Sequence, residues 1–155
     1  MKFWITFNEP KETALAGYGS GLFAPGIVGR GTISYQVAHH QIRAHAYAYR
    51  VYNEEFRPTQ NGTCDRIIEH VHMIKSELLK MIYEGEVGIT LNTKWAEPEN
   101  PEDPEYVAAA DRVLQFGLGW FAHPIFINGD YPQVMKDKVS CYTKHDAIIE
   151  YYNFL

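Results

Sequence analysis

The chain has 155 residues, with 14 Lys and Arg against 19 Asp and Glu, a formal charge of −5. That mild acidity lacks the basic stripe of a phosphate-backbone binder and excludes nucleic acid as a partner. The composition is that of one globular domain or part of one, and no apolar run reaches the roughly 18 residues that would suggest a membrane helix.

Residues 3–8, Phe3-Trp4-Ile5-Thr6-Phe7-Asn8, are apolar on both faces, the pattern of a parallel strand covered on both sides. The strand runs out into Asn8, Glu9 and Pro10. A carboxylate held beside an amide at the mouth of a buried strand is a candidate acid/base group. From Lys11 to Thr32 the chain is punctuated by Gly17, Gly19, Gly21, Gly26, Gly29 and Gly31, which predicts a long ordered loop of functional kind. Thr32 or Ser34 is suited to cap the next element. Residues 34–56 lack Gly and Pro and carry Ala38, Ile42, Ala46 and Tyr49 at helical spacing. Val37, Ala44, Ala48, Val51 and Tyr52 widen the stripe and predict a mostly buried helix that ends at Arg57-Pro58.

A second helix is predicted over 65–83, where Ile67, Val71, Ile74, Leu78 and Ile82 recur on one face. Glu86 to Asn92 reads as a short strand, and Trp95–Pro104, with three prolines, as loop. Residues 105–121 return to helical spacing, His123-Pro124 breaks it, Gly129–Pro132 turns, and Val134–Val139 is a short helical piece. Strands alternating with helices predict an α/β fold with parallel strands.

Three weaker signals can be set aside or left open. Cys64 and Cys141 form no metal motif and are compatible with free thiols or one bridge. His39, His40 and His45 lack the i, i+4 pairing that puts two imidazoles on one helical face, and His70 and His72 point apart. The glycine run fails as a dinucleotide fingerprint, since Leu22 stands where its third glycine belongs.

The segment Trp4–Pro10, followed by Gly17-Tyr18-Gly19-Ser20-Gly21 and Ala24-Pro25-Gly26, resembles glycoside hydrolase family 1, the β-glucosidase, lactase and myrosinase family. The resemblance continues through Tyr35–His40, Ala44-His45-Ala46, Val87–Asn92, Trp95–Pro98, Leu118–Ile125 and Gly129–Pro132, covering about residues 1–60 and 86–139. It implies a fragment of a TIM (β/α)8 barrel supplying about the fourth and fifth βα units, with the site at the C-terminal strand ends. It implies that Glu9 is the general acid/base of a retaining β-glycosidase and that Asn8 hydrogen-bonds the sugar 2-hydroxyl. Glu12, with Lys11, falls where such proteins place groups facing the leaving group, and Asn92 could edge the same site. Trp95 and Trp120 read as packing. Neither metal nor organic cofactor is implied, because two carboxylates and water suffice.

The chain also departs from the family pattern. The opening three βα units and the Glu-Asn-Gly strand that carries the nucleophile are absent, so the chain by itself is expected to be inactive and to lack the rest of its barrel. Residues 63–84 read as an atypical helical insertion, either a surface addition or sequence foreign to the fold, and 140–155 as a divergent tail. Asn61-Gly62-Thr63 is a glycosylation sequon, in keeping with a secreted or luminal parent. The alternative function is a non-catalytic binding protein built on a glycosidase framework.

Overall fold

The computed structural model describes residues 3–29, 31–60 and 85–142. The predicted helix at 65–83, the sequon, Cys64, His70, His72 and the tail beyond 142 lie outside the described residues, as does the side chain of Cys141. The described residues divide into two units, one formed by residues 3–8 with 43–60 and 85–90, the other by 9–42 with 91–142.

In the first unit, strand β1 (Phe3–Asn8) pairs in parallel with β2 (Glu86–Thr90), as the alternation of strand and helix predicts. Phe3, Trp4 and Ile5 face Glu86, Val87 and Gly88, whereas Asn8 faces Thr90. Three steps along β1 therefore match two along β2, and β1 carries one extra residue near its end. Such an irregularity re-aims the side chains that follow it. The sequence predicts a strand covered on both sides; instead Phe3, Trp4 and Ile5 are 68%, 51% and 62% exposed. Among the described residues the sheet has no third strand, and the second half of α2 leaves this start of β1 uncovered.

The long helix α2 (Thr32–Val51) lends its second half to this unit. It widens into a π-helical turn over Tyr52–Phe56, closed by the Arg57 N–H on the Tyr52 carbonyl, and continues as α3 (Arg57–Gln60). Arg57-Pro58 therefore does not end the helix, contrary to the sequence reading. Pro58 is the second residue of α3, where a missing N–H costs little, and the π turn has already reset the ladder. The Arg57 guanidinium lies 5.1 Å over the Tyr52 ring and donates to Asn53 Oδ1 at 2.8 Å.

The second unit begins at Glu9. Residues predicted as loop from Lys11 are helical at first: α1 (Pro10–Glu12) runs into a π turn over Thr13–Gly17. Pro10 at the first position suits a helix start. The loop proper, after Tyr18, is tied back by Phe23 N–H to Ala16 O, Ile27 N–H to Gly17 O and Gly29 N–H to Tyr18 O. Helix α4 (Pro104–Leu114) is capped by Asp103, whose side chain accepts from the Glu105 N–H at 2.9 Å. A π turn over Gln115–Gly119 leads into α5 (Trp120–Phe126), and α6 (Gln133–Tyr142) follows. Pro124 lies inside α5, so the break predicted at His123-Pro124 arrives only after Phe126. Helix α6 runs on through residues 140–142.

The core of this unit gathers Ala14, Ala38, Ile42, Trp120, Phe121, Tyr131 and Met135, with Tyr35 tilted against Trp120 at 4.8 Å between ring centroids. Trp120 packs as expected. Trp95 does not: it is 75% exposed and its indole N–H reaches only Glu97, two residues on. The buried stripe of α2 also differs from the sequence reading. It holds Ser34, Ala38, His39, Gln41, Ile42 and His45, while Tyr47 and Tyr49 are exposed. A twenty-residue helix beside a two-stranded sheet can bury only one narrow face of its second half.

Candidate active site

Glu9 follows the last residue of β1 directly. Its backbone takes φ 46° and ψ 58°, a left-handed conformation that a residue with a Cβ adopts at a cost. It is the one non-glycine residue with positive φ among the described residues. Two contacts hold it there. Pro10, fixed in φ, is fully buried, and the Glu12 N–H donates to the Glu9 carbonyl at 2.9 Å. The Glu9 side chain remains partly exposed, and Asn8, at the end of β1, is exposed.

The structure brings Glu12, Lys11 and Asn92 together. Asn92 Nδ2 donates to Glu12 Oε1 at 3.0 Å, and Lys11 Nζ donates to the Asn92 carbonyl at 3.3 Å while standing 3.7 Å from Glu12 Oε1. The Lys11 side chain is only 16% exposed, so its ammonium is committed to this cluster rather than to solvent. The segment after β1 is thus bound to the segment after β2 by side chains. Glu12 and Asn92 were read separately as edging groups; they are hydrogen-bonded to each other.

Two polar constellations escaped the sequence reading. Thr6 Oγ1 donates to the Gly88 carbonyl at 3.2 Å and stands 2.8 Å from His45 Nδ1. A hydroxyl has one proton, so His45 donates from Nδ1 and Thr6 accepts, which places the neutral imidazole proton on Nδ1. His45 is 5% exposed, and this burial pushes its pKa below the ordinary value. In the second unit His39 Nδ1 and the Tyr131 hydroxyl are 2.8 Å apart in the core. The legible signal was a helical stripe, Ala38–Ile42–His45, that has a histidine in it. Elsewhere, burial raises the Tyr35 phenol pKa, and the Lys136 ammonium hydrogen-bonded to Asp130 lowers that carboxyl. A groove of about 490 Å³ lined by Leu15, Ser20, Val28, Ser34 and Tyr35 contains none of the predicted site residues.

The chain has counterparts among known proteins. Human lactase/phlorizin hydrolase is 47% identical over 139 residues, 90% of this chain but 6% of that protein. An aphid myrosinase superposes with a TM-score of 0.73 at 34% identity, over 93% of this chain and 26% of the other. A rice β-glucosidase mutant, solved in a covalent complex with glucose, gives 0.70 at 36% identity over 90% and 26%. The chain spans 6% of the lactase/phlorizin hydrolase length and about a quarter of these solved TIM-barrel structures, and its two parallel βα units are a fragment of such a barrel. The profile of glycosyl hydrolase family 1 matches residues 1–150, and the chain belongs to that family.

Proposed function

We propose that this chain supplies the acid/base half of a retaining β-glycosidase of β-glucosidase type. The Glu9 carboxyl gives its proton to the leaving glycosidic oxygen while a carboxylate from another strand attacks the anomeric carbon. The Glu9 carboxylate then takes a proton from the water that displaces this second carboxylate, and two inversions leave the anomeric configuration retained. The two carboxyl groups of such a site stand about 5 Å apart, and neither described strand, β1 or β2, ends on the second one. Asn8 would hydrogen-bond the sugar 2-hydroxyl, and Glu12 and Asn92 would edge the leaving-group side.

The observation that carries the reading is the strained backbone at Glu9. Strain of this kind persists only where the surrounding structure over-determines it, and it concentrates at functional positions. Family membership and the covalent glucose complex of the rice relative support the retaining chemistry. The reading is tested in a complete family 1 domain carrying this chain. Glu9→Gln is expected to lower kcat/KM for phenyl β-glucoside by roughly 10²- to 10⁴-fold, and the 155-residue chain alone is expected to show no turnover. An unchanged kcat/KM in Glu9→Gln would remove Glu9 from the chemistry.

A further inference from the structure

Glu12 makes two bonds that point in different directions. Its main-chain N–H donates to the carbonyl of Glu9, the residue held in the left-handed conformation, at 2.9 Å. Its carboxylate accepts from Asn92 Nδ2 at 3.0 Å, and Lys11 Nζ closes the cluster through the Asn92 carbonyl. Main chain and side chain of one residue therefore join the carbonyl of the acid/base candidate to the segment that follows the neighbouring strand. We propose that Glu12, locked by Asn92 and Lys11, is a positioning residue that fixes the Glu9 backbone and so aims the Glu9 carboxyl at the leaving oxygen. The proposal rests on the reading of Glu9 as acid/base.

The physical case starts from the strain. A left-handed Glu relaxes toward the right-handed or extended basin unless its carbonyl is held, and relaxation rotates the side chain away from its aim. The holding bond comes from Glu12, where α1 (Pro10–Glu12) passes into the π turn (Thr13–Gly17), together too short a helical stretch to have much stability of its own. Such a segment stays in place when anchored from outside. Buried Pro10 and Ala14 anchor it by packing, and its polar anchor is the amide-to-carboxylate bond, made stronger by its charged acceptor, with the Lys11 side chain, largely buried, beside it. Deleting the Glu12 carboxylate frees this segment while leaving the Glu9 side chain chemically intact.

The test uses a complete family 1 domain carrying this chain and compares kcat/KM for phenyl and 2,4-dinitrophenyl β-glucosides. Dinitrophenolate leaves without a proton, so only the phenyl glucoside draws on acid catalysis. The ratio of the two values does not depend on how much of a variant folds. Glu12→Ala and Asn92→Ala are each expected to lower the phenyl-to-dinitrophenyl ratio about tenfold or more, the scale of a misplaced catalytic group. Glu12→Gln, whose amide oxygen still accepts from Asn92, is expected to recover most of that ratio. If both alanine variants lower the two substrates equally while Glu9→Gln collapses the ratio, Glu12 has no part in aiming the acid and the proposal is overturned. If Glu9→Gln itself leaves the ratio unchanged, the acid/base reading fails and takes the positioning role with it.

Discussion

Glu9 sits at φ 46° with a full side chain, a conformation that costs about 1–2 kcal/mol relative to the right-handed one. Glycine would relieve that strain but loses about 0.5–1 kcal/mol in chain entropy. The difference makes Glu9→Gly stabilising by up to about 1.5 kcal/mol, even as it removes the carboxyl. Chemical denaturation of a complete domain carrying this chain checks the sign; a loss of stability would mean that the Glu9 side chain itself holds the turn. His45 supplies a pH-dependent contribution of the opposite kind. Its folded pKa lies below the ordinary value of 6.5 because burial disfavours the cation. The unfolded chain therefore takes up a proton first as pH falls. The contribution is complete above 6.5 and is lost as pH falls from there through the folded pKa. Midpoints measured between about pH 7.5 and pH 5 should fall less steeply in His45→Gln, which can still bond Thr6.

At the scale of elements, proline failed twice as a stop signal: Pro58 comes just after the widened turn over Tyr52–Phe56, in the first turn of α3, where a missing N–H is tolerated, whereas Pro124 lies inside α5. Close approach governs the loop after α1. A Cβ on Gly19 would lie 2.5 Å from the Leu15 carbonyl oxygen and 2.6 Å from the buried Ser34 Oγ, so loop and helix start meet only without a side chain. Gly19→Ala should destabilise by about 1–3 kcal/mol, read as a lower thermal midpoint. An unchanged midpoint would show that the loop shifts freely from the Leu15 carbonyl.

For the molecule as a whole, the exposed strand is the dominant fact. Phe3, Trp4 and Ile5 are more than half exposed on a sheet that has two strands among the described residues, a combination that favours edge-to-edge pairing. The isolated chain is expected to self-associate in a concentration-dependent way. Sedimentation of the native chain beside the Phe3→Lys, Ile5→Lys double variant is the check, with the charged edge shifting the distribution to monomer. Equal association of both would place the sticky surface elsewhere.

Local chemistry is what the sequence by itself determined. Motif order identified the family, apolar runs located β1 and β2, and Asn8-Glu9-Pro10 marked the acid/base candidate, because each rests on residues adjacent in the chain. The helical start after Pro10, the passage of helices through Pro58 and Pro124, and the exposure of Trp95 were decided by hydrogen bonding and packing that no local pattern encodes. The same holds for the bond between Glu12 and Asn92, 80 residues apart in sequence. Sequence spacing cannot report a contact whose partners are joined only by the fold. The left-handed turn of Glu9 was hidden for a related reason: glycine announces such a backbone, whereas here buried Pro10 and the Glu12 N–H impose it on a glutamate.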